Sequence, residues 1–133
     1  MPLVLDASVT ACWHFPDEHN AAADEILARI RPDDAALVPG HWWFEIRNVL
    51  LLGERRGRTT PDQTARFLEF MHELPISVAL LPDEIAVMDL ARAHRLTFYD
   101  AAYLELAKRE GLALATFDRE LLAAARAEGV SLA

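Results

Sequence analysis

An α/β fold built on a mostly parallel sheet is what this sequence predicts, and three observations carry the prediction. Short, branched, apolar runs recur along the chain: Leu3-Val4-Leu5, Ala36-Leu37-Val38, Ile76 to Leu81 and Leu112 to Ala115. Longer stretches with helical apolar spacing separate them. Strands that alternate with helices need crossovers, and crossovers make neighbouring strands parallel. Composition agrees, because 53% of the 133 residues are hydrophobic, enough for a sizeable core without disulfides or a structural metal. The expectation is one domain over residues 1–133.

The elements follow in order. Leu3 to Leu5 reads as a buried, central strand ended by Asp6, and Val9 to Phe15 as a short helix stopped by Pro16. Glu18 to Arg31 reads as a helix with acids early and arginines late, which matches the helix dipole. Ala22, Ile26, Leu27 and Ile30 form its apolar stripe. After the turn Pro32-Asp33-Asp34 and the strand Ala36 to Val38, a helix is predicted over His41 to Arg56. Phe44, Val49, Leu51 and Leu52 are its apolar surface and Gly57 its stop. Thr60-Pro61-Asp62-Gln63 is a capping box with proline at the first helical position, opening a helix to about Glu73. Ile76 to Leu81 alternates as a strand, and Pro82 opens a helix ending near His94-Arg95. Thr97 is the expected N-cap of the next helix, with Asp100 at its third position and Gly111 as its stop. A strand to Ala115, a helix from Arg119 to Glu128 and a short edge strand at Val130 to Leu132 complete the chain.

Charge and motifs narrow the function. A net charge of −8 argues against a protein held to nucleic acid by a broad basic face, although not against an enzyme whose acids hold cations against a phosphate. The one basic cluster, Arg55, Arg56 and Arg58, suits either phosphate contacts or a helix C-terminus. A single cysteine, Cys12, offers neither a disulfide framework nor a zinc site and fits a reducing, cytosolic home. No basic leader precedes the first apolar run, and no run approaches the ~20 residues of a membrane span. The five histidines lack metal-ligand spacing and read as surface or packing residues, and no phosphate-binding glycine loop or nucleophile elbow is present.

Four acids stand out. Asp6 and Asp118 each follow a short apolar strand, and strand ends of an open α/β sheet are where ligand chemistry gathers. Asp100 joins them if its helix starts at that same edge, and Glu45 joins if its helix leans over it. The plainer readings are an N-cap for Asp6 or Asp118 and a solvent-facing position beside Arg47 for Glu45. Asn48 shares the Glu45 face at i+3, and Ser8 and Thr116 stand beside two of the acids. Carboxylates and hydroxyls are hard donors that suit Mg²⁺ or Mn²⁺ rather than zinc.

The segments L-V-L-D-A-S at the start, F-E-I-R-N-V-L around Glu45, L-T-F-Y-D-A-A-Y-L-E-L-A around Asp100 and L-A-T-F-D-R-E-L around Asp118 are similar in order and spacing to the PIN-domain ribonucleases. More narrowly, the chain resembles the VapC toxins of bacterial toxin–antitoxin pairs. The resemblance implies a three-layer PIN-like α/β fold and Mg²⁺- or Mn²⁺-dependent endoribonuclease activity. It makes Asp6, Glu45, Asp100 and Asp118 the catalytic, metal-holding quartet, with Ser8, Thr116 and Asn48 in support. It also implies a homodimer and a VapB-like antitoxin whose basic segment would suit the acidic chain. Two other classes share some of these features. A phosphoacceptor module of the flavodoxin type also gathers acids at strand ends, but the only lysine, Lys108, falls within a predicted helix rather than at the end of a late strand. A PIN-like scaffold without catalysis is argued against by the intact quartet.

Overall fold

The computed structural model describes residues 1–133 and contains four strands and seven α-helices. In chain order they are β1 (Leu3–Leu5), α1 (Ala7–Cys12), α2 (Ala21–Arg29), β2 (Ala36–Val38), α3 (Gly40–Arg55), α4 (Pro61–Glu73), β3 (Ile76–Val78), α5 (Glu84–His94), α6 (Phe98–Glu110), β4 (Ala113–Ala115) and α7 (Arg119–Ala127), with a 3-10 turn at Pro16–Glu18. The sheet is wholly parallel, in the order β3-β2-β1-β4. Crossovers that run right-handed toward β3 place α1 to α4 on one face, and the return from β3 to β4 places α5 and α6 on the other. The packing agrees: α1 lies against α3, and α6 against α5, α7, β1 and β4. Three layers result, as expected of the predicted fold.

All three residues of β1 are buried, because helices cover both faces of this interior strand. β3, at the sheet's edge, is only partly covered. Leu5 pairs with Ala115, so Asp6 and Thr116 leave their strands at the same level. The hydrogen bond from Asp6 N–H to the Ala115 carbonyl, at 2.9 Å, carries that register one residue past the strand. α6 reaches Gly111 two residues before β4 begins, so its last turn lies at the amino edge. Its 13 residues then span ~20 Å back to the carboxyl edge, where Asp100 sits in the first turn. The start of α6 at this edge meets the condition on which Asp100 joins Asp6 and Asp118.

Several boundaries and faces differ from expectation. Glu18 belongs to the 3-10 turn, and α2 starts only after Asn20, whose side chain caps Ala23 N–H at 2.8 Å. The buried stripe of α2 uses Ala23 and Ile26, with Ile30 just past its end, while Ala22 is exposed. On α3 the core face is Trp42, Ile46, Leu50 and Gly53, while Phe44 and Leu51 are exposed. Gly53 is required there, since a Cβ would come within 2.7 Å of the Phe15 ring. β3 ends at Val78, and α5 starts after Asp83 rather than at Pro82. The final strand reduces to one parallel bridge, Leu114 to Leu132. Both threonine caps form as expected: Thr60 and Gln63 make the full capping box, and Thr97 accepts Asp100 N–H at 3.1 Å. No helix is long and apolar enough to cross a membrane.

Candidate active site

Asp6 occupies the N-cap position of α1, yet its side chain caps nothing. Its Oδ2 instead accepts two hydrogen bonds of 2.6 Å, one from Ser8 Oγ and one from Thr116 Oγ1. Both hydroxyls are held in turn by the chain beyond β4. Phe117 N–H donates to Ser8 Oγ at 3.0 Å and Asp118 N–H donates to Thr116 Oγ1 at 3.1 Å. A carboxylate with two such short bonds on one oxygen is fixed in orientation. Its Oδ1 carries no hydrogen bond from the protein.

Glu45 stands in the second turn of α3, which starts directly beyond the carboxyl end of β2. It is half-buried, not solvent-facing beside Arg47. Its Oε1 accepts a 2.6 Å hydrogen bond from the hydroxyl of Tyr103 on α6. His41 Nε2 lies 3.5 Å from the same oxygen, too loose for a hydrogen bond. The His41 ring packs edge-on against Tyr103, with centroids 4.9 Å apart. Burial pushes His41 below its usual imidazole value, opposed by the Tyr99 backbone and by Asp6. Burial also raises the Glu45 carboxyl. The Tyr103 hydrogen bond opposes that rise, and the nearby charges of Asp6 and Asp100 add to it.

Asp100 is raised for related reasons: burial first, then the charges of Asp118 and Asp6, with the Thr97 hydroxyl acting against them and Glu120 adding a little. Asp118 does cap its helix, accepting Leu121 N–H on Oδ2 at 2.8 Å. The four acids therefore feel one another at the carboxyl edge. None of Asp6, Asp100 or Asp118 forms an ion pair, and Glu45 has only the distant His41. Three of them share a pattern: one oxygen is committed to the protein, and the other is not.

The donor set consists of carboxylates and hydroxyls, the chemistry of a site for Mg²⁺ or Mn²⁺. No three of these side chains converge closely enough to enclose an ion directly.

The other expected site residues fare differently. Asn48 is exposed and makes no hydrogen bond to the acids. Arg58 is engaged with Asp17 and Glu18 at 3.0 and 2.7 Å and lies over the Phe15 ring. Arg55 and Arg56 are exposed and unpaired. Tyr103 and His41 were missed from the sequence. The signal was there, since Tyr103 follows Asp100 at i+3 and His41 precedes Glu45 at i−4. Both looked like packing residues, and both do pack.

A family model for the PIN domain matches residues 3–127. Ribonuclease VapC3 of Pyrobaculum aerophilum is 34% identical over 131 residues, which cover 91% of this chain and 92% of that protein. Among solved structures, PAE2754 from Pyrobaculum aerophilum is similar with a TM-score of 0.72 and 30% identity, over 93% of this chain and 84% of its own. The toxin–antitoxin complex from Klebsiella pneumoniae is similar with a TM-score of 0.57 over 87% of this chain and 86% of that one; at 17% identity the likeness is one of fold.

Proposed function

The chain belongs to the PIN-domain family and, within it, to the VapC ribonucleases, and on that premise we propose that it is the toxin of a toxin–antitoxin pair, an endoribonuclease that hydrolyses RNA phosphodiester bonds with Mg²⁺ or Mn²⁺. The observation that carries the reading is the gathering of Asp6, Glu45, Asp100 and Asp118 at one sheet edge without a side-chain cation to neutralise them. Unpaired, partly buried carboxylates are costly unless something positive is bound there.

A divalent cation held by these acids would stabilise charge on the phosphate and lower the pKa of an attacking water. Asp6, Asp100 and Asp118 would hold it, directly or through water. Ser8 and Thr116 fix Asp6 through Oδ2 and leave its second oxygen free to serve a cation, as outer partners of a ligand would. Glu45 would share the cation with them and orient the attacking water. Arg55 and Arg56 are the arginines available to steady the RNA backbone, since Arg58 is already engaged by Asp17 and Glu18.

A homodimer and a VapB-like antitoxin complete the proposal. Trp43, Phe44 and Leu51 on α3, together with Leu80, Leu81 and Ile85 before and on α5, are large apolar side chains left exposed. Surfaces of this kind mark protein contacts. The net charge of −8 favours a basic antitoxin segment.

The test is cleavage of total RNA by the purified protein with Mg²⁺, with Mn²⁺ and with excess chelator, alongside Asp6→Asn and Asp100→Asn. Cleavage should need the metal and vanish in both variants while circular dichroism is unchanged. Undiminished cleavage in chelator or by either variant would overturn the reading.

A further inference from the structure

We propose that Tyr103 is a positioning residue for Glu45, holding one carboxylate oxygen in place so that the other is presented to the cation and the water it activates. The inference rests on the metal-dependent nuclease reading and extends it to a residue outside the acidic quartet.

Tyr103 is fully buried, the largest side chain in the protein to be so. A buried phenol needs a hydrogen-bond partner, and a backbone carbonyl would serve. This one donates to a carboxylate instead, at 2.6 Å and across 58 positions of sequence. A short O–H···O⁻ bond of that kind is stronger than a neutral one and fixes direction. The ring itself is held by the core and by the edge-on imidazole of His41, whose Nε2 leans toward the same Glu45 oxygen. Everything the protein brings to Glu45 therefore arrives at Oε1, and Oε2 carries no hydrogen bond.

The bond also has an architectural consequence. Glu45 is on α3, in the layer that carries α1 to α4, and Tyr103 is on α6, in the opposite layer. They meet over the carboxyl edge of the sheet. Tyr103 stands one turn beyond Asp100 on the same helix, so the hydroxyl sets Glu45 relative to Asp100 and not only relative to its own helix. Glutamate has one more rotatable bond than aspartate and needs such a restraint more. Asp6 is treated the same way by Ser8 and Thr116, which supports the pattern from a second acid.

Tyr103→Phe keeps the ring and removes only the hydroxyl. Three measurements on the purified protein test the role: Mn²⁺ titration by calorimetry, steady-state cleavage of a mixed-sequence fluorogenic single-stranded RNA, and thermal melting. Loss of a partner to a metal-binding carboxylate costs about tenfold or more in metal affinity or rate. The expected result is a Mn²⁺ Kd weakened about tenfold, kcat reduced about tenfold and KM for RNA unchanged. The same substitution in a Glu45→Gln background should cost no further activity, because the hydroxyl acts through Glu45. Wild-type Mn²⁺ affinity and kcat in Tyr103→Phe would overturn the proposal. So would an equal further loss in the Glu45→Gln background, or a collapse of the melt, since each marks a tyrosine that is only structural. Failure of the underlying reading has a different signature: the wild-type protein would itself give no Mn²⁺ isotherm, and the inference would fall with it.

Discussion

The two ends of α6 treat their carboxylates in opposite ways. Toward the amino edge of the sheet, Glu105 is buried, and Arg109 Nε reaches both of its oxygens, at 2.8 and 3.1 Å. Nearby, Glu128 accepts from Lys108 Nζ and from His94 Nε2, each at 2.6 Å. There the usual rule for acids removed from water is obeyed, because each has a cationic or titratable partner. At the other end, Asp100 shares the carboxyl edge with Asp6, Glu45 and Asp118, and none of them forms an ion pair with a lysine or arginine. Two arginines on or just past α3 are engaged elsewhere: Arg47 stacks on Trp43, and Arg58, beyond the helix end, is spent on Asp17 and Glu18. Where an acid serves structure, the fold pairs it. Where these acids are left together, the fold supplies no ion-pair partner but the distant His41.

The largest effect that would test this contrast is on catalysis. Asp100→Asn should reduce RNA cleavage by about 10²-fold or more, in line with removing an electrostatic group from a preorganised site. The same substitution should raise the melting temperature of the metal-free protein, because it relieves repulsion among acids that have no cation. Glu105→Gln should do the reverse: cleavage per folded molecule stays near wild type, while denaturant titration shows a loss of about 1–2 kcal/mol. That figure is discounted from a fully buried pair because Arg109 can turn to solvent. A metal-free Asp100→Asn less stable than wild type would break the comparison.

Metal is the next lever. Saturating Mn²⁺, near 100 times its Kd, should stabilise the wild-type protein by about 2.7 kcal/mol. Melting temperature should rise accordingly in wild type and in Glu105→Gln, and barely at all in Asp6→Asn. An equal rise in all three would place the ion elsewhere.

The smallest effect is on pH dependence, and its sign differs between the two ends. Glu45 and Asp100 have folded-state values raised above the ordinary carboxylate range, chiefly by burial. Their contribution to metal-free stability is fully present below the unfolded value and is lost as pH rises through the folded one. Glu128 is lowered, first by its hydrogen bond with Lys108 and then by that with His94. Its contribution is present above the ordinary carboxylate value and is lost as pH falls through the folded one. Melting curves of the metal-free protein across the acid range should therefore decline less on the rising side in Asp100→Asn and less on the falling side in Glu128→Gln.

Much of the architecture could be read from local pattern. Thr60-Pro61-Asp62-Gln63, Thr97 and Gly111 act within a single turn, where sequence spacing and spatial neighbourhood are nearly the same thing. The apolar faces were less legible. On α3 a run of Trp42, Trp43 and Phe44 cannot all point inward, and only the sheet beneath decides that Trp42 does. Asp6 misled for a related reason. Its place at a helix start suggests a cap, but Ser8 and Thr116 compete for the same carboxylate, and Thr116 lies 110 positions away.

The sequence by itself determined the alternation of strands and helices, the turns and caps that bound them, and the four acids with their hydroxyl neighbours. These follow from periodicity and backbone preference, which operate over a few residues. Only the tertiary structure decided that α6 begins at the carboxyl edge, that one oxygen of Asp6 and one of Glu45 are tied down while the other is not, and that Tyr103 is the group holding Glu45. Such contacts join positions 58 and 110 residues apart. Their existence depends on strand register, on the hand of the crossovers and on how two helical layers meet over the end of a sheet, and no local spacing encodes any of these.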